Sequence, residues 1–342
     1  MKRRVYIADT GGTIGMKKTA EGYAPAPGYL AEQMAAMPEL QSDNMPAYDI
    51  HQYDPLLDSS NMTPVDWARI AHDLAAHYDE YDGFVVLHGT DTMAYTASAL
   101  PFMLQGLQKP VIFTGSQIPL CEVRNDAREN LITALLLAAD YPIAEVCLYF
   151  GNKLLRGCRS VKVDADGFAA FDSPNYPPLG TVGIDIEINW QLVQSPTGRR
   201  RALVVTELGQ THIGALRLFP GISAEIMSHF LQPPLQGLVL EAYGVGNGPG
   251  DDEAFMAALQ EATARGVVIV DCTQCLTGTV DLGDYATGSA LAKVGVISGF
   301  DMTVEAALTK LHYLFSQNLP IETIKRLMQT NLRGELTPSV RY

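Results

Sequence analysis

Two loops that combine glycine with threonine carry the residues best suited to chemistry. Asp9–Gly15 reads Asp-Thr-Gly-Gly-Thr-Ile-Gly and His88–Met93 reads His-Gly-Thr-Asp-Thr-Met, and each follows an apolar run. Threonine hydroxyls act as nucleophiles when a base and oriented donors assist them, and an aspartate beside them suits a substrate ammonium. Neither loop is a Gly-x-Gly-x-x-Gly or Walker sequence, so phosphate binding is poorly supported. The structural alternative is a pair of tight turns capped by hydroxyls.

Lys162 is a third candidate, within the acidic stretch Val161–Gly167. A surface charge is its simplest interpretation. If the lysine folds inward beside Thr90 and Asp91, it could accept a hydroxyl proton. The 72 positions between Thr90 and Lys162 leave that placement open at this stage. His88 is more typical of a packed, hydrogen-bonded histidine than of a base, and we predict a structural role for it.

The elements that must position these residues alternate between strands and helices. Both loops follow predicted strands, and ligands bind outside the carboxyl ends of strands in open parallel sheets. Strands buried on both faces and separated by helices predict a parallel sheet with crossovers. The first half is predicted to contain strands Val5–Ala8, Tyr48–Tyr53, Phe84–Leu87, Val111–Thr114 and Val146–Phe150, and helices Pro64–Tyr78, Met93–Gln105 and Asn125–Ala139.

The alternation is interrupted by a polar stretch containing Ser-Pro-Thr-Gly and three arginines. We therefore predict two consecutive α/β domains with mostly parallel sheets, the first being the larger. The predicted domains are 1–190 and 202–342, with a linker at 191–201. The second half is predicted to contain strands Ala202–Thr206, Gly237–Ala242 and Val267–Asp271, and helices Ser223–Leu231, Asp251–Ala264, Thr303–Gln317 and Ile321–Leu332.

Charge and composition exclude several classes of protein. The 342 residues include 24 Lys+Arg against 38 Asp+Glu, a net charge of −14, which disfavours nucleic acids and anionic membranes as partners. The basic run Arg199–Arg201 is best explained as solvated linker. An export signal or membrane span would need a longer apolar run. Five cysteines suggest no disulfide framework, and Cys272 and Cys275 are predicted to be buried structural residues rather than a metal or redox pair. These features predict a cytoplasmic protein.

The two loops, in this order and separation, resemble the two signatures of the bacterial-type asparaginases. The loop Asp58–Ser60 between them and Lys162 after them are similar to the family in order and spacing. The likeness extends over nearly the whole chain and is greatest to the cytoplasmic, type I L-asparaginases of enterobacteria. It implies the two-domain α/β fold of the asparaginases and glutaminases.

The resemblance also implies a reaction, the hydrolysis of L-asparagine to L-aspartate and ammonia without metal or cofactor. Thr13 would be the nucleophile that forms an acyl-enzyme ester, and Tyr23 would assist it by a hydrogen bond. Thr90, Asp91 and Lys162 would form a second hydroxyl–acid–base group that activates water or transfers protons. How the two threonines divide these steps stays open.

The same resemblance implies a site for a zwitterion. Ser59 would hold the substrate carboxylate and Asp91 its ammonium, with Asp58, Ser60 and Thr90 completing the substrate-binding set. The segment Gly22–Gly28 would close over the site as a lid. A homodimer or homotetramer is implied.

Three departures from the family pattern stand out. Asp9 occupies a position where an apolar or aromatic residue is expected. Some cytoplasmic members bind a second asparagine through a basic residue where this chain has Glu241 and a hydroxyl where it has Val161, although Cys275 is kept. An acid at position 241 would repel that ligand, which argues against activation by asparagine.

Two other functions remain as alternatives. One is the asparaginase-like subunit of a tRNA-dependent amidotransferase, although the charge of −14 and a first signature that begins at residue 7 argue against it. The other is a non-catalytic amino-acid sensor, but Thr13, Thr90, Asp91 and Lys162 are all present.

Overall fold

A computed structural model describes residues 2–195, 202–283 and 286–337. The chain divides into two compact units, Met1–Thr206 and Glu207–Tyr342. The described part includes none of the positions 196–201, so most of the predicted linker and its three arginines lie outside it. No helix within the described ranges is long and apolar enough to span a bilayer.

The first unit alternates strands and helices along most of its length. Helix α2 begins at Pro64 as predicted, because Pro suits the first helical position and the backbone N–H of Thr63 donates to Asp66 Oδ2 at 2.8 Å. The strands are β1 Arg4–Gly11, β2 Met16–Thr19, β3 Gly22–Pro25, β4 Ala47–Leu57, β5 Gly83–Leu87, β6 Leu104–Gln105, β7 Val111–Thr114, β8 Val146–Phe150, β9 Lys153–Arg156, β10 Val161–Lys162, β11 Phe171–Asp172, β12 Gly180–Val182, β13 Ile186–Ile188 and β14 Val204–Val205; the helices are α1 Tyr29–Ala35, α2 Pro64–Ala76, α3 Met93–Met103 and α4 Ala127–Asp140.

The main sheet among the described residues has eight strands in the order β13-β12-β9-β8-β7-β5-β1-β4. The run from β8 to β4 is parallel, and β9, β12 and β13 join in antiparallel pairs. Central strands β5, β7 and β8 are buried along their whole length. A core on one face packs Ile7, Val85 and Ile112 of the sheet with Leu131 and Leu135 of α4. This packing places the ends of β1, β5 and β7 side by side.

The second unit contains a smaller, fully parallel sheet in the order β15-β16-β17-β18. Hydrophobic clusters lie on both of its faces, which is typical of an α/β unit. The strands are β15 Ile213–Arg217, β16 Gly237–Ala242, β17 Val268–Thr273 and β18 Ile297–Ser298; the helices are α5 Ala224–Phe230, α6 Glu253–Ala264, α7 Ala286–Lys293, α8 Val304–Ser316 and α9 Ile321–Met328.

One short strand lies in a different unit from the one that the sequence predicts. The sequence places Ala202–Thr206 in the second domain, but β14 pairs antiparallel with β6, with Val204 opposite Gln105. Both strands therefore belong to the unit that ends at Thr206. A two-residue strand carries too little pattern to identify its partner, since pairing is decided by which edge the chain reaches.

Candidate active site

Glycines bring three segments of the first unit into direct contact. Gly12 has a φ of 94°, and a Cβ placed on it would lie 2.6 Å from the backbone nitrogen of Gly89. A Cβ on Gly89 would lie 2.4 Å from Ser59 Oγ. These separations leave no room for a larger residue at either glycine. The loops that carry Thr13, Ser59 and Thr90 therefore meet at the carboxyl edge of the sheet.

Lys162 joins Thr90 to Asp91. Its Nζ donates to Thr90 Oγ1 and to Asp91 Oδ1, both at 2.9 Å. β10 holds Lys162 opposite Phe171 of β11, whose side chain is buried. The side chain of Lys162 is 22% exposed and that of Asp91 is 64% exposed. The cation thus links a buried hydroxyl to a carboxylate that faces solvent.

The two hydroxyls of the first loop have different surroundings. Thr10 is fully buried, and its Oγ1 donates to the carbonyl oxygen of Leu87 at 2.7 Å, which ties β1 to β5. Thr13 begins a 3-10 turn and is partly exposed. Only the hydroxyl of Thr13 is therefore placed to meet a ligand.

The loop Asp58–Ser60 is a second turn at this edge. Asp58 Oδ1 accepts a hydrogen bond from the backbone N–H of Ser60 at 3.0 Å and so caps the turn. Ser59 is only 4% exposed, while Asp58 and Ser60 are exposed. Thr92 Oγ1 donates to the carbonyl oxygen of Ser59 at 2.7 Å. This bond fixes the turn against the start of α3.

Tyr23 lies on the β2–β3 hairpin. Its hydroxyl donates to Glu122 Oε1 at 2.7 Å rather than to Thr13, and its side chain is 45% exposed. The hydrogen bond to Glu122 raises the pKa of Tyr23 above its ordinary value. The backbone N–H of Gly28, at the end of the predicted lid, donates to Gln52 Oε1 at 2.6 Å. The structure therefore places Tyr23 at the rim, bonded to a residue that the sequence did not single out.

His88 is a packed histidine, as predicted. Its Nδ1 lies 2.7 Å from the carbonyl oxygen of Gly89 and its Nε2 lies 2.8 Å from Thr96 Oγ1. Complete burial lowers the pKa of His88 to about 4, so the ring is neutral at physiological pH. Asp9 is also buried, and desolvation raises the pKa of its carboxyl to about 6, although it accepts a hydrogen bond from the backbone N–H of Gly11.

Gln117 is a site residue that the sequence reasoning missed. It follows β7, and its Oε1 accepts a hydrogen bond from Thr90 Oγ1 at 3.2 Å. β7 lies next to β5 in the sheet, so its carboxyl end opens onto the same edge. The polar residues directly after the predicted strand Val111–Thr114 were the signal that could have identified it.

The predicted structural cysteines do not form a disulfide with each other. Both are free thiols. The prediction of burial is confirmed for Cys272 and wrong for Cys275, which is exposed. Burial raises the pKa of the Cys272 thiol well above its usual value, so this thiol is unreactive at neutral pH. Across the described residues, no cluster of three or more His, Cys, Asp or Glu side chains could hold a metal ion.

Two family models match consecutive parts of the chain. The model described as "Asparaginase, N-terminal" covers residues 4–194, and the model described as "Glutaminase/Asparaginase C-terminal domain" covers residues 212–328. The chain belongs to the asparaginase family. The resemblance inferred from the two threonine loops is thereby confirmed.

Similar proteins of the asparaginase family match over nearly the full chain. L-asparaginase 1 of Escherichia coli K12 is 56% identical over 337 residues, covering 98% of this chain and 99% of that protein. The structure of L-asparaginase I from Vibrio cholerae is 52% identical with a TM-score of 0.91, covering 98% of this chain and 100% of that one. The L-asparaginase of Thermococcus kodakarensis is 36% identical over 339 residues, covering 98% of this chain and 100% of that protein. The predicted two-domain asparaginase/glutaminase fold is confirmed.

Proposed function

We propose that this chain is an L-asparaginase that hydrolyses L-asparagine to L-aspartate and ammonia. The observation that carries the proposal is the bonded group of Thr90, Asp91 and Lys162, next to the loop of Thr13. A threonine hydroxyl is a weak nucleophile unless a neighbouring base activates it, and a lysine 2.9 Å from a threonine oxygen can serve as that base. The relatives named L-asparaginase support asparagine as the substrate.

In the proposed reaction, Thr13 Oγ1 attacks the side-chain amide carbon of asparagine and forms an ester. The carbon–nitrogen bond breaks, and the nitrogen takes up the proton that the Thr13 hydroxyl gives up and leaves as ammonia. Water, activated by the Thr90–Lys162–Asp91 group, then hydrolyses the ester and regenerates Thr13. Backbone N–H groups of Thr13 and Thr90 stabilise the oxyanion, at about 3–4 kcal/mol for each donor. The division of the steps between the two threonines stays open.

Substrate recognition in this proposal depends on the opposite charges of a free amino acid. The carboxylate of Asp91 binds the substrate ammonium, since its side chain is 64% exposed and can be reached. Ser59 binds the substrate carboxylate, with Asp58 and Ser60 holding the turn and Thr90 adding a contact. One anion-binding and one cation-binding group in a small site favour a zwitterion over a peptide.

Tyr23 is assigned the task of assisting Thr13. Its hydroxyl must turn from Glu122 towards Thr13 for that role, and movement of the lid segment Gly22–Gly28 would achieve this when substrate binds. The same movement would exclude water from the site.

The experiment that tests the function compares ammonia release from asparagine and from glutamine. We expect the wild-type protein to hydrolyse asparagine, and Thr13→Ala and Thr90→Val to lose activity by about 10³-fold or more. Thr181→Val changes an exposed strand residue and is the matched control. A wild-type protein that binds asparagine in calorimetry without releasing ammonia would favour the sensor. A requirement for tRNA would favour the amidotransferase alternative.

We also propose a cytoplasmic location and assembly as a homodimer or homotetramer, supported by the resemblance to the type I enzymes. Sedimentation equilibrium of the purified chain tests the assembly, and a monomer at micromolar concentration would contradict it.

A further inference from the structure

Gln117 connects two parts of the site that are far apart in sequence. Its Oε1 accepts the hydrogen bond from Thr90 Oγ1 at 3.2 Å. Its Nε2 donates to the carbonyl oxygens of Ala165 at 3.0 Å and of Gly167 at 3.2 Å. These carbonyls belong to the turn that directly follows Lys162. A single amide therefore touches both the hydroxyl and the loop that supplies the lysine.

Hydrogen bonds to Asp126 hold the backbone of Gln117 in place. Its N–H donates to both carboxylate oxygens of Asp126, at 2.9 and 3.1 Å, and the N–H of Ile118 donates to Asp126 at 3.0 Å. Asp126 is 9% exposed and also accepts from Asn130 Nδ2 at 3.3 Å. Three donors on one buried carboxylate leave the Gln117 backbone little freedom, so its side chain starts from a fixed point.

The turn after Lys162 is closed by its own hydrogen bonds. Asp164 Oδ1 accepts from the backbone N–H groups of Asp166 and Gly167, both at 2.9 Å, and the bond from Gly167 is the main cause that lowers the pKa of Asp164. The N–H of Val163 donates to the carbonyl oxygen of Ala170 at 2.9 Å. The turn is thus a compact unit, and Gln117 Nε2 attaches that unit to the centre of the site.

The donor and acceptor pattern shows what this arrangement does to Thr90. The ammonium of Lys162 can only donate, so Thr90 Oγ1 accepts from it and sends its single hydrogen to Gln117 Oε1. An amide oxygen accepts a hydrogen bond without taking the proton. Gln117 therefore sets the rotation of the hydroxyl while Lys162 is an ammonium, with an oxygen lone pair directed at Lys162. When Lys162 is unprotonated, the hydrogen turns from Gln117 Oε1 to Lys162 Nζ, which then takes the proton.

We propose that Gln117 is a positioning residue that fixes the Thr90 hydroxyl relative to Lys162 and ties the turn after Lys162 to the same point. The inference rests on the proposed hydrolysis of asparagine. It assigns Gln117 no contact with the substrate, so its effect is on the rate of the chemical steps rather than on binding.

Two substitutions separate the contacts of Gln117. Gln117→Met keeps the length of the side chain and removes both the acceptor for Thr90 and the donor to the turn. Gln117→Glu keeps an oxygen acceptor for Thr90 and removes the donor to the turn. Gln41→Met is the matched control, because Gln41 is an exposed glutamine whose Nε2 makes a hydrogen bond of 2.9 Å to the carbonyl oxygen of Ala35.

We expect Gln117→Met to lower kcat by about 10- to 100-fold, since small displacements of catalytic groups have effects of this size. KM should change far less, because Ser59 and Asp91 are untouched. Gln117→Glu should retain more activity than Gln117→Met. Gln41→Met should match wild type in kcat and KM.

The dependence of kcat on pH is a measurement that should stay unchanged if Gln117 has only a structural role. Asp91 and Lys162 face Gln117 across Thr90, Asp126 lies at its backbone, and Asp164 lies in the turn that its amide holds. A carboxylate at position 117 adds a negative charge next to the bonded pair of Thr90 and Lys162. The pH dependence of kcat in Gln117→Glu should therefore differ from that of wild type.

The outcomes are distinguishable from a failure of the proposed function. An active wild type together with an unchanged kcat in Gln117→Met would overturn this inference alone, as would superimposable pH profiles of wild type and Gln117→Glu. A wild type that releases no ammonia would overturn the proposed function and this inference with it. Thermal unfolding of each variant shows whether it folds, and if Gln117→Met does not, the pH profile of Gln117→Glu decides.

Discussion

Both units carry polar residues at the carboxyl ends of their parallel strands, but these residues differ in burial and in hydrogen bonding between the two units. At the edge of the first unit, Thr90, Asp91 and Lys162 are bonded to one another, and Asp91 faces solvent. At the corresponding edge of the second unit, Asp271 near the end of β17 is fully buried, and neither carboxyl oxygen has a hydrogen-bond partner among the described residues.

The surroundings of Asp271 explain how the second unit tolerates this residue. A Cβ placed on Gly246 would lie 2.9 Å from Asp271 Oδ2 and 2.7 Å from a methyl carbon of Val280, so the turn 243–247 closes over the carboxyl. Desolvation raises the pKa of Asp271 to about 8, and the side chain keeps its proton at neutral pH. The carboxyl of Asp271 is therefore uncharged in the folded protein.

Another buried charge in the second unit shows the usual alternative. Lys310 and Glu335 are both fully buried, and Lys310 Nζ lies 2.5 Å from Glu335 Oε1. Glu335 also accepts from the backbone N–H of Leu332 at 3.0 Å. Partners stabilise these charges, whereas Asp271 has none among the described residues. The second unit therefore buries ionisable groups in two ways, as the neutral acid Asp271 and as the ion pair of Lys310 and Glu335.

The largest effect on activity should come from removing the ammonium group of Lys162 at the carboxyl edge of the first unit's sheet. We expect Lys162→Met to lower kcat by about 10²- to 10⁴-fold, as is typical for loss of a general base. Stability should change little, because a partly exposed ion pair contributes about 0–1 kcal/mol. Steady-state kinetics and thermal unfolding measure the two effects.

Lys153→Met is the matched control for that variant. Lys153 forms a partly exposed ion pair with Asp172, at 3.0 Å, and lies outside the proposed catalytic group. Equal losses of activity in the two lysine variants would contradict the special role of Lys162.

The next largest effect is expected from Asp271→Asn, which should change the free energy of unfolding rather than the activity. The unfolded carboxyl ionises near pH 4, while the folded one keeps its proton up to about pH 8. Between these values unfolding releases a proton, so wild-type stability falls as pH rises, by about 1.4 kcal/mol for each pH unit. Asparagine cannot ionise, and its stability advantage over wild type should grow across this window and level off above it.

Urea unfolding at several pH values between 4 and 9 measures that slope. Asp251→Asn makes the same substitution at an exposed position and serves as the control. If the stability difference between wild type and Asp271→Asn were constant with pH, the carboxyl would have to be ionised in the folded protein.

Asp9→Asn should show a smaller version of the same effect. Asp9 accepts one hydrogen bond, from the N–H of Gly11, and its pKa rises only to about 6. Wild-type stability is therefore expected to fall between about pH 4 and pH 6 and then to stay level, a window about half as wide as that of Asp271. The gain of Asp9→Asn at pH 7 should reach about 3 kcal/mol at most. If Asp9→Asn increased the free energy of unfolding as much as Asp271→Asn does, the hydrogen bond from Gly11 would not stabilise the ionised carboxylate of Asp9.

The elements predicted best are those with strong local signals. β7, β8 and β16 have the predicted limits, because each is centred on a run of apolar residues. Helix α1 was missed, since it has only seven residues and begins after Gly28 without a capping side chain. The short strands β9 to β13 were missed as well, because two to four residues carry no readable alternation.

The sequence by itself determined the type of the long elements, the fold class and the position of the two threonine loops at strand ends, because these depend on local periodicity and turn residues. Only the tertiary structure brought Lys162 within 2.9 Å of Thr90 and placed Gln117 between Thr90 and the turn after Lys162. Such contacts depend on strand order and on where loops reach, which no local pattern encodes. For the same reason only the structure revealed that Asp271 is buried without a partner among the described residues.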